Sequence, residues 1–138
     1  MNHSIEVIAR GLLIRNQHLL VCYGAKGDYY YLPGGHVEFY ETCEQALQRE
    51  WTEELGCSCT IKMFLRHFEE FFVDACNVRH HEYSFLYRVE CESLDINQPL
   101  PHMEENVLFK WLPLSKIKSS VLYPQTLAHY IEDNQLLS

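Results

Sequence analysis

Short apolar runs separated by polar turns predict strands in the first part of the chain. Residues 5–15 and 18–23 are strand-like, and Asn16-Gln17 between them is suited to a turn. Residues 29–32 have high β propensity and run into Pro33-Gly34-Gly35, which is expected to end the strand. We therefore predict three strands before the Gly-Gly pair, with a loop over residues 24–28.

After residue 42 the spacing of apolar residues becomes helical. Thr42 is a good N-cap, Gln45 three residues later completes a capping box, and Gly56 is suited to end the helix. The glutamates of this helix lie beside its apolar stripe and not opposite it, which predicts that they border a cleft. The apolar stripe consists of Cys43, Leu47, Trp51 and Leu55.

The second half of the chain again reads as strands, followed by a helix. Residues 58–73 and 81–91 predict two long strands joined by residues 74–80, and residues 109–112 a shorter one. A helical turn is expected at 114–117. A final helix is expected from Pro124 to Asp133, with Leu127, Tyr130 and Ile131 facing inward. Strands around one central helix are typical of α+β or mixed α/β folds.

Composition and charge narrow the function classes. The chain has 138 residues and is 47% hydrophobic, which suits one globular domain with a real core. A net charge of −8 argues against non-specific nucleic-acid binding, because no Lys/Arg stripe is present to neutralise phosphates. The same charge would repel a small polyanionic substrate unless bound metal reverses the local sign. A divalent cation is therefore expected.

The cysteines indicate a reducing compartment. The sequence contains no Cys-x-x-Cys pair, so a zinc ribbon is not supported, and no signal peptide is recognisable. The apolar runs near the N-terminus are too short to span a bilayer. We therefore expect free thiols, a cytoplasmic location and no membrane partner. The thiols belong to Cys22, Cys43, Cys57, Cys59, Cys76 and Cys91.

Three glutamates share one face of the predicted helix. Glu50, Glu53 and Glu54 are spaced i, i+3 and i+4, where like charges repel by about 0.2–0.5 kcal/mol per pair. A solvated acidic face is one explanation. The other is a site for Mg²⁺ or Mn²⁺, which carboxylates bind and which bridge to phosphates.

The surrounding residues favour the metal site. The run from Gly35 to Cys57 reads Gly-x5-Glu-x7-Arg-Glu-Trp-x-Glu-Glu-Leu-Gly-Cys. It resembles the box of the Nudix hydrolases, Gly-x5-Glu-x7-Arg-Glu-U-x-Glu-Glu-x-Gly-U, in which U is a bulky aliphatic residue. Every polar and glycine position of the box is met. Trp51 and Cys57 occupy the two U positions and are both apolar, so the departure concerns packing more than chemistry.

The resemblance carries expectations for fold and activity. It implies a single Nudix hydrolase domain over residues 1–138, with the box at 35–57. The implied fold is an α/β class protein, a Nudix-type α/β/α sandwich with a mixed β-sheet. The implied activity is a Mg²⁺- or Mn²⁺-dependent pyrophosphohydrolase that cleaves a nucleoside diphosphate joined to another group.

The resemblance also assigns roles within the box. It implies that Glu50 and Glu54 are the main metal ligands and that Glu53 is a further ligand or the general base. The carbonyl of Gly34 is expected to add an oxygen, since glycine allows close backbone approach. Arg49 is expected to orient a box glutamate through an ion pair, the alternative being an ordinary surface salt bridge.

Other glutamates are expected to have secondary roles. Glu41 is expected either to be structural or to lie just outside the metal ligands, and Glu38 and Glu44 to be solvated. Family members often take a further carboxylate from a loop before the strand that carries the tryptophan, here Trp111. Glu105 is our first choice and Glu104 the second, with plain loop charges as the alternative.

Substrate identity is left open by the sequence. Residues 32–39, Leu-Pro-Gly-Gly-His-Val-Glu-Phe, resemble compact MutT-like members that act on nucleoside triphosphates, modified ones included. Aromatic residues around the box are candidates for base contacts or for the core. The predicted partner is a small-molecule nucleotide, with no stable nucleic acid, and the protein is a monomer or homodimer. The alternative function is a non-catalytic nucleotide or ADP-ribose sensor on the same fold. The candidates beside the box are Tyr29, Tyr30, Phe39 and Tyr40, and those later in the chain are Phe71, Phe72, His80, His81 and Tyr83.

Overall fold

The computed structural model describes residues 3–24, 29–101 and 103–133. Its first strands are β1 (Ile5–Leu12), β2 (Ile14–Arg15), β3 (His18–Tyr23), β4 (Tyr30–Tyr31) and β5 (Gly34–His36). The predicted turn lies at Asn16 and Gln17, which both adopt positive φ. Most of the loop predicted over residues 24–28 lies outside the described residues.

The remaining elements follow the predicted order. They are α1 (Cys43–Leu55), β6 (Thr60–Val73), β7 (Arg79–Glu90), β8 (Leu108–Pro113), a 3-10 turn (Leu114–Lys116) and α2 (Gln125–Asp133). β7 begins two residues earlier than predicted. Its hairpin turn is tightened by the Asp74 carboxylate, which accepts the backbone N–H groups of Cys76 and Val78.

The strands form two sheets. Sheet A has the order β5-β1-β7-β6, and sheet B joins β2, β3, β4 and β8, with β3 between β2 and β4 and also paired to β8. Sheet A is mixed, because β1 runs parallel to β7 and antiparallel to β5. Two helices packed on these sheets confirm the predicted α/β/α sandwich.

Helix α1 has both predicted caps. The Thr42 hydroxyl accepts the Gln45 backbone N–H at 3.0 Å, while the Gln45 side-chain oxygen accepts the Thr42 N–H at 2.9 Å. Gly56 adopts the left-handed conformation and donates its N–H to the Thr52 carbonyl. Local interactions at both ends therefore hold the helix at the bounds expected from the sequence.

The apolar side chains of α1 bury one face of the helix in the core. Trp51 and Leu47 are completely buried, and they pack against β1, where Gly11 leaves room for the Trp51 ring. Leu127 and Ile131 of α2 join a second buried cluster. Burial of such side chains stabilises the fold by about 1.5–3 kcal/mol each.

The predicted end of the strand before Pro33-Gly34-Gly35 is confirmed, because β4 ends at Tyr31, but the sequence did not predict that a further strand begins at Gly34. Gly34 and Gly35 begin β5 and pair with Arg10 and Ala9 of β1. Gly34 has φ 142°, and a Cβ at this position would overlap the Ala9 carbonyl oxygen. The glycines therefore allow two backbones to approach closely, an effect that turn propensity does not reveal.

No helix among residues 3–24, 29–101 and 103–133 is long and apolar enough to cross a membrane. The six cysteines are all free thiols, in agreement with the expectation from the sequence.

Candidate active site

Strand β5 leads almost directly into α1, which brings the helix carboxylates against the backbone of sheet A. A Cβ built on Gly35 would lie 2.5 Å from the Glu50 side-chain carbon Cδ. Any side chain at residue 35 would therefore displace the Glu50 carboxylate. The absence of a side chain at Gly35 creates the space that this carboxylate occupies.

Glu54 is the least accessible of the box glutamates. Its side chain is only 7% exposed, and its Oε2 atom lies buried without a hydrogen-bond partner in the described structure. Burial, together with the negative charge of the neighbouring Glu50 carboxylate, raises the pKa of Glu54 to about 8. A buried carboxylate with an unpaired oxygen is costly unless a cation or a proton satisfies it.

The pair of carboxylates fits a divalent cation. Glu50 and Glu54 offer hard oxygen atoms next to each other, and Oε2 of Glu54 is buried without a hydrogen-bond partner. Such oxygen ligands are preferred by Mg²⁺ and Mn²⁺. Gly34 lies one residue before Gly35 in the same strand, and the role of its carbonyl as a ligand stays a prediction.

Arg49 is the centre of a network of carboxylates. Its Nε and Nη2 donate to the two oxygens of Glu41 at 2.8 and 3.1 Å, and its Nη1 donates to Glu50 Oε1 at 2.9 Å. Nη2 also donates to the His36 carbonyl at 3.0 Å, which ties α1 to β5. Because the guanidinium is bidentate on Glu41 and three-quarters buried, it is not an isolated surface salt bridge.

Glu41 and Glu53 differ in how firmly Arg49 holds them. The Arg49 guanidinium, which donates hydrogen bonds to it, lowers the pKa of Glu41. Glu53 is half exposed, and its Oε2 lies 3.4 Å from Arg49 Nη1. Glu41 is thus a structural partner of Arg49, whereas the Glu53 carboxylate faces solvent. Glu38 and Glu44 are exposed, in agreement with the sequence analysis.

The loop before β8 carries Glu104, whose charge acts on Glu54. The negative charge of Glu104 is among the causes that raise the pKa of Glu54, and Glu105 is not. Both loop glutamates are exposed. This electrostatic effect favours Glu104, the second choice from the sequence, as the loop carboxylate that acts on Glu54. The assignment of Glu105 remains a prediction.

Arg10 is a feature of the site that the sequence did not reveal. It lies on β1, donates from Nη1 to the Leu32 carbonyl at 2.8 Å, and sits 5.7 Å from the centre of the Tyr31 ring. Its positive charge partly offsets the raised pKa of Glu54. A guanidinium with further N–H donors next to an acidic pair can bind a phosphate group.

A second group of candidate metal ligands lies on sheet A. Glu6, His80 and Glu82 each offer one atom, and these atoms lie within 4.8 Å of one another. His80 already binds carboxylates through both ring nitrogens, Glu6 at 2.9 Å and Asp74 at 2.8 Å. These ion pairs account for the positions of Glu6 and His80 without a metal. Glu6 lies on a different strand, 74 positions before His80, so no spacing in the sequence could have predicted the group.

The aromatic residues near the box fall into two classes. Phe39 and Tyr40 are 98% and 96% exposed, with ring centroids 6.0 Å apart, immediately before α1. Tyr29 and Tyr30 instead contact other aromatic rings, those of Tyr123 and Tyr23. Phe39 and Tyr40 are therefore available to a ligand.

Comparison with known families agrees with this geometry. The model of the NUDIX domain matches residues 6–132, which is most of the chain. The chain belongs to the Nudix family. It is therefore a hydrolase acting on pyrophosphate bonds, as the box had implied.

Solved structures share the fold of this Nudix protein. The MutT protein from Methanosarcina mazei Go1 has a TM-score of 0.75 and 15% identity, over 100% of this chain and 99% of that one. A MutT NUDIX hydrolase from Burkholderia pseudomallei has a TM-score of 0.67 and 21% identity, over 91% and 96%. The E. coli ORF135 protein has a TM-score of 0.66 and 20% identity, over 88% and 83%. No curated protein matches the sequence significantly.

Replacing Gly35 of the Nudix protein by alanine should lower activity while leaving the fold intact. The new methyl group would displace the flexible Glu50 side chain, so we expect kcat to fall about tenfold or more, as displacement of a supporting group does in metal sites. The measurement is pyrophosphate-bond hydrolysis together with thermal unfolding.

Gly24→Ala is the matched control, because no atom lies within 4 Å of a Cβ at Gly24. Its activity should equal that of the unchanged protein. Equal activity of Gly35→Ala and Gly24→Ala would contradict a role for the space at Gly35.

Proposed function

We propose that this Nudix protein hydrolyses a nucleoside triphosphate, modified ones included, to the monophosphate and pyrophosphate. Mg²⁺ or Mn²⁺ held by Glu50 and Glu54 is part of the proposal, with Glu53 and the Gly34 carbonyl as further ligands. The observation that carries it is the buried, unpartnered Oε2 of Glu54 beside Glu50, a donor pair that suits a divalent cation.

The chemistry requires both charge neutralisation and a positioned water. A bound divalent cation neutralises phosphoryl oxygens and lowers the pKa of its water. In the proposed reaction, water attacks one phosphorus, the bridging P–O bond breaks, and the proton of the water passes to a carboxylate. Glu53, Glu104 and Glu105 are the candidates for that general base.

Arg49 has a positioning role in this proposal. Its hydrogen bonds to Glu41 and Glu50, and its bond to the His36 carbonyl, hold the Glu50 carboxylate in one orientation. Oriented ligands matter because positioning and electrostatics supply most of the barrier reduction in phosphoryl transfer.

Three features support a small nucleotide as the substrate. Residues 32–39 resemble the MutT-like members of the family. Phe39 and Tyr40 expose rings on which a base can stack. The net charge of −8 disfavours long RNA, whose phosphates would be repelled outside the metal site. The free thiols are consistent with a cytoplasmic enzyme.

The proposal is tested by a hydrolysis screen with Mg²⁺ or Mn²⁺. Nucleoside triphosphates should give the monophosphate and pyrophosphate, and nucleoside monophosphates should remain intact because they lack the diphosphate link. Nucleotide sugars, ADP-ribose and dinucleoside polyphosphates serve as competing substrates. Reaction in ¹⁸O-water identifies the attacked phosphorus, since the label enters the product that contains it.

The screen also separates an enzyme from the alternative, a nucleotide or ADP-ribose sensor. Nucleotide binding measured by calorimetry, without turnover of any compound in the presence of metal, would support the sensor. Turnover of ADP-ribose or a nucleotide sugar alone would retain the Nudix chemistry but contradict the proposed substrate.

A further inference from the structure

Strand β6 forms an open edge of sheet A. It is the longest strand, with 14 residues, and in the described parts of the chain it pairs on one side only, with β7. The outer side of an edge strand presents N–H and C=O groups that another strand can bind. Large apolar side chains along β6 are also exposed, at 44–70%. They are Met63, Phe64, Phe71, Phe72 and Val73.

The polar residues of β6 are arranged around Phe68 so that basic residues precede it and acidic residues follow it at equal distances. One position away on either side are His67 and Glu69, and two positions away are Arg66 and Glu70. When two identical strands pair antiparallel about a twofold axis, residues at equal distances before and after the axis lie opposite each other. Such a pair with its axis at Phe68 therefore brings Arg66 opposite Glu70, and the His67 imidazole opposite the Glu69 carboxylate, twice in the dimer.

The apolar residues follow the same symmetry once the irregularity of the strand is included. A register shift between Phe64 and Arg66 makes Leu65 an extra residue in β6. Counted past that extra residue, Phe71 lies opposite Phe64 and Phe72 lies opposite Met63. Apolar side chains therefore meet apolar side chains beyond the charged centre.

The two apolar residues of each proposed pair also lie on the same face of sheet A. Phe64 and Phe71 lie opposite Tyr87 and His81 of β7, which are odd-numbered and share one face. Met63 and Phe72 lie opposite Arg88 and His80, which are even-numbered and share the other face. Each apolar pair across the twofold axis would thus form on one face of a continuous sheet.

Within a single chain, Glu69 pairs with His81 and Glu70 accepts the Thr126 hydroxyl. The Arg66 guanidinium lies over the Phe68 ring, so these contacts do not pair Arg66 with Glu70. Arg66 and Glu70 are four residues apart in an extended strand, about 13 Å, which is too far for an ion pair. Charged residues commonly protect an edge strand from association, but protection alone does not require opposite signs at symmetric positions.

We propose that β6 pairs antiparallel with β6 of a second copy of this chain, about a twofold axis at Phe68. Two four-stranded copies of sheet A then join into one continuous sheet. Backbone hydrogen bonds along the edge, apolar pairs and opposed charges together stabilise the dimer.

The test is a charge exchange followed by sedimentation over a range of protein concentrations. Arg66→Glu makes the outer pair, residues 66 and 70, wholly acidic, and Glu70→Arg makes the same pair wholly basic. Each single variant opposes like charges twice in the dimer, so we expect the dimer Kd to rise about tenfold or more. The double variant Arg66→Glu/Glu70→Arg restores opposite charges and should return the Kd to near its original value.

A mixture of the two single variants should form a heterodimer that is tighter than either homodimer, because an acidic pair then faces a basic pair. Arg88→Glu is the matched control: it makes the same change of charge on the neighbouring strand β7, where residue 88 is exposed, and should leave the Kd unchanged. Neither rescue can arise within one chain, given the separation of Arg66 and Glu70.

Hydrogen exchange on the unchanged protein is an independent measurement that needs no variant to fold. The amides of β6 should gain protection as concentration rises. A monomer at every concentration, a dimer without added protection in β6, or single and double variants with equal Kd would each overturn the proposal.

Discussion

Glu54→Gln should reduce the kcat for hydrolysis of the pyrophosphate bond by at least about 10²-fold, since changes beyond the ligands already cost about 10–100-fold in metal sites. Glu50→Gln should have a similar effect, because the two carboxylates lie together beside Gly35. Steady-state kinetics with a nucleoside triphosphate measures both losses.

Unfolding measurements separate this chemical effect from damage to the fold. Burial and the negative charge of Glu50 raise the pKa of Glu54 to about 8, so above that pH the neutral amide removes an unfavourable buried charge. We expect Glu54→Gln to unfold at a temperature equal to or above that of the unchanged protein. Lost activity together with a lowered unfolding temperature would contradict this explanation.

Glu44→Gln is the matched control. It removes the same charge from the first turn of the same helix, where the side chain is exposed and far along the helix from Glu54. Its kcat should remain within about twofold of the original, as expected for a solvated surface charge. Equal losses for Glu44, Glu50 and Glu54 would mean that the site is not on this face of α1.

The loop glutamates complete the series. Replacing a carboxylate that serves as general base should lower kcat by about 10²–10⁴-fold. The sequence favoured Glu105, whereas in the structure it is the charge of Glu104 that affects Glu54. A large loss in Glu104→Gln and a small one in Glu105→Gln would support the structural choice, and the reverse would support the sequence.

Removal of divalent metal should abolish hydrolysis. With the site in an acidic protein of net charge −8, a polyphosphate is repelled unless a cation neutralises it. EDTA should therefore reduce the rate to background, and excess Mg²⁺ or Mn²⁺ should restore it. Full activity in chelator would exclude the metal from the reaction.

Binding of Mn²⁺, measured by calorimetry, provides a second readout. Glu54→Gln should weaken Mn²⁺ binding, whereas Glu44→Gln should not. Glu82→Gln tests the separate group formed by Glu6, His80 and Glu82. If that variant, and not Glu54→Gln, loses Mn²⁺ binding and activity, the metal site lies on sheet A and not on α1.

The sequence by itself determined the elements that local interactions stabilise. Helix α1 begins and ends where Thr42, Gln45 and Gly56 predicted, because capping and left-handed glycine involve neighbours in the chain. Strand β3 matches its prediction for a similar reason, since its apolar run is bounded by turn residues. The spacing of the box likewise indicated the family, because all of its key residues lie on or next to one helix.

Only the tertiary structure decided features that depend on distant residues. β1 pairs in parallel with β7, about seventy positions away, and β5 forms because Gly34 can lie against Ala9. Neither contact leaves a signal in a local window of sequence.

The same reason applies to the electrostatics of the site. Spacing placed Glu50, Glu53 and Glu54 on one face, but packing buried Glu54, raised its pKa, and left Glu53 half exposed. Likewise, Arg10 and Glu104 act on Glu54 from another strand and a loop. Burial and charge are properties of three-dimensional surroundings, so the order of residues along the chain cannot specify them.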